Sequence, residues 1–225
     1  MQRQRTRRPG WRGRIGRAGL WGLVWSGVAL GAALASPRLV DVFDVQIRGR
    51  HVFGLSASGS GPVERLERGE TVLHSDARGR VGAVLTDRRF LGATVASGNW
   101  SELRLQAGES AAPPVVGENV ALWLTSRRFV GLAGDSGRLL VEDFGVAEQP
   151  LHHAVGDQTA IVVTKRRALG VGAGSQLVAE RKLQVQERVE EVRARGGVAS
   201  VTTNRRILVF HVANLVWTQR ELPIH

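Results

Sequence analysis

The chain contains no cysteine, and only 5% of its 225 residues are aromatic. Without cysteine, disulfide bonds, thiolate metal sites and cysteine nucleophiles are all excluded. Glycine is abundant, at 28 residues, and a composition rich in turn-forming residues favours β structure. We therefore expect a β fold that is held together without covalent cross-links.

Acidic residues are absent from the first 35 positions, which hold seven of the chain's 31 basic residues: Arg3, Arg5, Arg7, Arg8, Arg12, Arg14 and Arg17. The net charge of +11 and the pI of about 11.6 would suit a nucleic-acid-binding protein. Outside this leader, however, 24 basic residues face 20 acidic ones. Since the basic excess is mostly local, we expect no nucleic-acid partner.

An uncharged, largely apolar run, AGLWGLVWSGVALGAALA, occupies positions 18–35. Its length is close to the ~20 residues that span a bilayer, but its end also offers a small-x-small signal-peptidase site. The sequence predicts a basic cytoplasmic segment over 1–17 and an anchor or cleaved signal segment over 18–35, with the anchor favoured. Because positive flanks stay inside, residues 36–225 are expected on the outer side of a bacterial inner membrane.

Small residues recur at every fourth position of this run, at Gly27, Gly31 and Ala35. In lipid, such spacing lets a second helix approach closely. We therefore expect these three residues to pack against the helix of another membrane protein subunit.

A strictly periodic repeat runs through the rest of the chain. The segments VLTDRRFLG, WLTSRRFVG, VVTKRRALG and VTTNRRILV align without gaps, and their first arginines, Arg88, Arg127, Arg166 and Arg205, are evenly spaced. A degenerate fifth copy over 47–54 precedes the segment 85–92 by one residue less than this period. A constant period of 39 residues predicts one supersecondary unit per copy.

Each copy is predicted to be β structure. Apolar runs such as 121–125 and 160–164 are typical of strands covered on both faces. A tight turn and a second apolar strand follow, then a more polar third strand such as 100–105, then a glutamate and a short fourth extended piece that completes the unit.

In this pattern the chain resembles five-bladed β-propellers over residues 36–225. The resemblance is architectural, because the body has neither a Trp-Asp signature nor a kelch-type double glycine, and an open β-solenoid is the alternative. Ser36-Pro37 aligns with Pro113-Pro114, so we expect the start of the body to complete the last blade.

Recurring arginines and glutamates are the most conspicuous polar feature. We expect structural ion pairs that hold each blade to its neighbour; an anion-binding arginine ring is the alternative. The residues are Arg89, Arg128, Arg167 and Arg206 with Glu70, Glu109, Glu148 and Glu187.

Other polar and aromatic residues suggest weaker sites. Trp100 and Trp217 are candidate ligand-facing residues for a secreted, lectin-like glycan-binding propeller. A glycosidase would need separated carboxylates, for which the candidates are Asp41, Asp44, Glu118 and Asp157. The adjacent residues His152 and His153 point to opposite faces of a strand, so they are not expected to share a metal.

The favoured function is a non-catalytic interaction or scaffold subunit of a larger membrane protein complex, for which photosynthetic or respiratory assemblies are plausible hosts. We expect no catalytic residues, no metal and no cofactor. The expected partners are other membrane protein subunits and lipid headgroups.

Overall fold

The computed structural model describes residues 42–57 and 59–222. The predicted membrane segment, with Gly27, Gly31 and Ala35, lies outside the described residues, as does Asp41. Within the described part of the chain, no helix is long and apolar enough to cross a membrane.

The described residues form nineteen β-strands in five antiparallel sheets, one for each copy of the repeat. Sheet 1 consists of β1 (Phe43–Arg48), β2 (His51–Ser56) and β3 (Val63–Arg65). Sheet 2 consists of β4 (Val72–Arg78), β5 (Val81–Thr86), β6 (Arg89–Thr94) and β7 (Ser101–Arg104). Sheet 3 consists of β8 (Val115–Val116), β9 (Val120–Leu124), β10 (Arg128–Ala133) and β11 (Arg138–Asp143).

The last two sheets have the same order of strands. Sheet 4 consists of β12 (Pro150–Val155), β13 (Thr159–Thr164), β14 (Arg167–Gly172) and β15 (Ala179–Lys182). Sheet 5 consists of β16 (Val189–Arg195), β17 (Val198–Thr203), β18 (Arg206–His211) and β19 (Val216–Glu221).

The boundary between sheets differs from the prediction. The fourth extended piece of each unit pairs with the apolar strand that follows it, as β4 pairs with β5, so it opens the next sheet. A tight turn at Gly79-Arg80 joins β4 directly to β5. The connection that carries the recurring glutamate, such as Glu70 between β3 and β4, is the one that crosses from one sheet to the next. Sheet 5 takes all four strands from 189–221, so among the described residues the incomplete sheet is sheet 1 and not the last one.

The core lies between consecutive sheets. In β5, β6, β10 and β13 every residue is buried, because both faces of these strands are covered. At the junction of sheets 2 and 3, for example, the rings of Phe90 and Trp123 lie 5.8 Å apart.

A glycine column allows the sheets to approach closely. A Cβ at Gly92 would lie 3.0 Å from Leu132 of sheet 3, and one at Gly131 would lie 3.0 Å from Val171 of sheet 4. The equivalent residue of sheet 5 is Val209, which is only partly buried. The residue thus changes to valine on sheet 5, the last sheet of the described residues.

Backbone hydrogen bonds link the sheets in sequence order. Phe43 N donates to Gly79 O (2.7 Å), Arg80 N to Glu118 O (2.7 Å), Asn119 N to Asp157 O (2.7 Å) and Gln158 N to Gly196 O (3.0 Å). Among the described residues, no bond of this kind leads from sheet 5 back to sheet 1. Five successive sheets of this kind are consistent with a five-bladed propeller.

Candidate functional site

A buried arginine fastens sheet 2 to sheet 1. Arg89, the first residue of β6, donates from Nε to Glu70 Oε1 (2.9 Å) and from Nη2 to Glu70 Oε2 (3.2 Å). Its Nη2 also donates to the carbonyl of Arg65, the last residue of β3 (3.0 Å). Since Glu70 lies in the connection between the two sheets, one guanidinium holds the connection and the preceding sheet together. We call this arrangement a clamp.

The same clamp recurs at the other three junctions. Each arginine also donates to the last carbonyl of the preceding sheet's outer strand, at Arg104, Asp143 and Lys182. The Nε–Oε1 distances are 2.8 Å for Arg128–Glu109, 3.0 Å for Arg167–Glu148 and 2.9 Å for Arg206–Glu187. The structure thus brings together all eight residues of the predicted arginine–glutamate set, each pair bridging two sheets.

A threonine and a backbone N–H complete each clamp. The Thr86 hydroxyl donates to Glu70 Oε1 (2.8 Å) and accepts from Arg89 N (2.9 Å). The other carboxylate oxygen accepts from Glu67 N (2.6 Å), which closes the connecting loop. This threonine was not among the predicted site residues, although it is the third residue of every repeat motif, at Thr86, Thr125, Thr164 and Thr203.

The clamp carboxylates are buried and yet ionised. The side chains of Glu70, Glu109 and Glu187 are 0% exposed. Burial raises the pKa of Glu148, but hydrogen bonds from Arg167, Thr164 and the Gly145 N–H outweigh it and lower the pKa to about 2. In the other three clamps the pKa of the glutamate is lowered in the same way, against burial.

Sheet 1 has no clamp arginine of its own. His51 occupies the position that corresponds to Arg89 in the next copy, and it is exposed. Within the described residues, the clamps therefore serve the four junctions between consecutive sheets.

The two candidate ligand-facing tryptophans lie between sheets. Trp100 is only 8% exposed; its Nε1 donates to Pro62 O (3.2 Å) and its ring packs edge-on against Phe43. Trp100 is therefore a core residue and not ligand-facing, because residues of sheet 1 and of the loop before β3 pack against it. Trp217 is half-buried, donates to Ala179 O (3.1 Å) and packs against Phe210.

Of the candidate carboxylates that the structure describes, two lie close to the same arginine. Glu118 and Asp157 lie in equivalent inter-strand turns, where both approach Arg78, at 2.9 and 3.9 Å. Asp44 is exposed on β1 and accepts from Val45 N. His152 and His153 are exposed neighbours on β12, and no cluster of metal-ligating side chains occurs in 42–57 or 59–222.

One end of the sheets carries a strongly basic surface. It consists of the inter-sheet connections and of one hairpin turn per sheet. In sheets 2 to 5 this turn lies between the second and third strands (87–88, 126–127, 165–166 and 204–205), and in sheet 1 the equivalent turn, 49–50, joins β1 to β2. We call it the basic loop surface. Apart from the clamp glutamates, these loops hold two acids, Glu67 and Asp87, against eight cations: Arg50, Arg68, Arg88, Arg127, Lys165, Arg166, Arg188 and Arg205.

No protein-family model and no curated protein sequence matches the chain. Among solved structures, human WBSCR16 is similar over 71% of this chain and 56% of its own, with 13% identity and a TM-score of 0.40. AztD of Citrobacter koseri is similar over 79% of this chain and 54% of its own, with 13% identity and a TM-score of 0.40. PorZ of Porphyromonas gingivalis, a surface component of its type-IX secretion system, is similar over 81% of this chain and 26% of its own, with 15% identity and a TM-score of 0.39.

The chain thus spans between about a quarter and just over half of the length of these three structures. A likeness this weak does not bear on function. The fold follows from the strands, their pairing and the clamps described above.

Proposed function

We propose that this protein is a membrane-anchored, extracytoplasmic five-bladed propeller that acts as a non-catalytic interaction or scaffold subunit of a larger membrane protein complex. The proposal rests on the location of the charged groups whose pKa values are shifted. In the described residues, every ionisable group with a shifted pKa belongs to a clamp or to the neighbouring Glu67–Arg104 pair. These charges hold sheet against sheet, and a rigid array with accessible surfaces suits a scaffold.

The proposed anchor is the apolar run over 18–35. It is close to the ~20 residues that a transmembrane helix needs, and the arginines before it favour a cytoplasmic N-terminus in the inner membrane. The proposed partners are membrane subunits that contact Gly27, Gly31 and Ala35 or the propeller.

In the proposed propeller, the five sheets are the blades of one ring. In a closed ring the junction between sheets 5 and 1 would have no arginine–glutamate clamp from the described residues, because His51 stands in the place of the arginine. Each of these two sheets has a partly exposed face, and the two faces would cover each other on closure.

The test is purification of the full-length protein from membranes in mild detergent, followed by N-terminal sequencing and cross-linking mass spectrometry. We expect residues 1–35 to be retained and specific membrane proteins to be cross-linked. The double substitution Gly27→Leu with Gly31→Leu should keep the anchor but release partners that pack on the helix. Val28→Leu, within the same run, is the matched control. A soluble monomer that begins at Ser36 would contradict the proposal.

A further inference from the structure

Seven of the eight cations of the basic loop surface form no salt bridge among the residues that the structure describes. Of the eight, only Arg88 forms a salt bridge in the described residues, with Glu67 at 3.0 Å. Arg127 and Arg205 donate to the neutral side chains of Gln106 and Gln184. Their guanidinium groups are thus oriented but not neutralised, which leaves a strong positive potential at this end of the sheets.

Two valines project from the same surface. Val146 and Val185 are 92% and 86% exposed. They lie one repeat apart, at equivalent positions of the connections that follow β11 and β15. They lie on different connections: Val146 lines a surface pocket together with Arg127, and Val185 shares its connection with the exposed Arg188.

The loops at the opposite end differ in charge. Their turns hold three acids, Glu118, Asp135 and Asp157, and all three approach Arg78 or Arg80 within 4.0 Å. Leu177 is exposed there, at 69%. The two ends of the sheets thus differ in their electrostatics.

We propose that the basic loop surface docks on an anionic lipid bilayer, with its arginines and lysine at the headgroup phosphates and Val146 and Val185 in the interface. Lysine and arginine side chains near an anionic membrane each contribute favourably to binding. Scattered apolar side chains suit a fluid surface, which can accept each one separately, whereas an acidic protein would need a matching pocket for each valine. This inference rests on the membrane location proposed above.

The absence of cysteine makes the test direct, because a single introduced cysteine is the only thiol in the chain. The full-length protein carrying Val185→Cys, labelled with an environment-sensitive fluorophore, is placed in nanodiscs of phosphatidylcholine alone or with phosphatidylglycerol. Brominated lipids then report contact by quenching. Leu177→Cys, at the opposite end, is the matched control.

We expect quenching at position 185 only in the phosphatidylglycerol nanodiscs and its loss at high salt, because screening weakens exposed charge interactions. Each of Lys165→Gln, Arg166→Gln and Arg188→Gln should lower the ratio of docked to undocked protein about fivefold. Arg138→Gln should leave this ratio unchanged, because Arg138 begins β11 at the opposite end of sheet 3.

Three results would overturn the docking proposal: no quenching at 185 in either lipid, equal quenching in both lipids, or quenching at 177 instead. Contact of position 185 with an acidic protein and not with lipid would also overturn it. Carbonate extraction of the same full-length protein from cell membranes reports the anchor separately. A protein that is anchored but not quenched contradicts docking alone, whereas a carbonate-soluble protein contradicts the proposed membrane location.

Discussion

At the scale of single residues, one position in the inter-sheet connections carries backbone strain. Gly69 and Gly108 have φ values of +77° and +71°, and the equivalent residues of the next two copies, Ala147 and Gln186, have φ values of +59° and +62°. A side chain in this left-handed region costs roughly 1–2 kcal/mol, whereas glycine adopts it freely. The later copies therefore keep the loop conformation without the residue that favours it, since the clamp glutamate one position on holds the loop.

Gln186→Gly is expected to stabilise the protein. Relief of the strain should exceed the entropy that glycine adds to the unfolded chain, for a net gain of about 0.5–1 kcal/mol in the free energy of unfolding. Urea denaturation followed by circular dichroism measures it. Val185→Gly, one residue earlier and without a positive φ, is the control and should destabilise or be neutral. A loss of stability in Gln186→Gly would show that the side chain makes a contribution larger than the strain.

At the scale of elements, the clamp fixes the position of one sheet against the next, which the hydrogen-bonded ladders within a sheet do not do. Strands within a sheet are joined by backbone hydrogen bonds, but adjacent sheets meet mainly through apolar side chains, which do not specify a fixed position. Arginine suits the clamp because its planar guanidinium donates to both carboxylate oxygens and to a carbonyl at once. Lysine could not reproduce this geometry.

A double-mutant cycle at the Arg128–Glu109 clamp tests this role. Removing one partner leaves the other charge buried and unpaired, so Arg128→Met and Glu109→Gln should each cost about 3–5 kcal/mol. The double variant should cost less than the sum, with a coupling energy of about 1–3 kcal/mol.

The matched control for this cycle is Arg127→Met, on the adjacent exposed residue whose side chain donates, among the described residues, to Gln106 alone. It should change stability by no more than about 0.5 kcal/mol. Equal effects of Arg127→Met and Arg128→Met in denaturant unfolding would contradict the clamp.

At the scale of the whole molecule, the four clamps couple stability to pH. The folded-state pKa of each clamp glutamate is lowered, so its contribution is complete above the ordinary value of 4.5 and is lost as the pH falls through the folded value, about 2 for Glu148. One such group amounts to roughly 3 kcal/mol. Because the clamps lie at all four junctions, protonation should weaken every inter-sheet contact.

Stability measured by urea unfolding should therefore fall steeply between about pH 4.5 and pH 2. The double variant Arg128→Met with Glu109→Gln should show a smaller fall, since one of the four titrating carboxylates is gone. An identical pH dependence in the variant and the parent protein would contradict the assignment of acid sensitivity to the clamps.

The sequence predicted much of this arrangement. The constant period, the buried hairpin strands and the eight arginine and glutamate positions can all be read from the aligned copies, because a repeated residue must meet the same surroundings in every copy. The register of the sheets could not be read in this way. A periodic sequence does not show where one sheet ends and the next begins, and for this reason the prediction for the fourth extended piece names the wrong sheet.

By itself, the sequence determined that the body of this protein is a β-repeat and that its buried charges recur in pairs. Only the tertiary structure decided what those residues hold together. Arg89 and Glu70 are 19 residues apart and meet because the chain crosses between sheets, while Trp100 is covered because sheet 1 packs against it. Both facts depend on contacts between residues of neighbouring copies. The sequence pattern within one copy does not show which residues of the next copy it will contact.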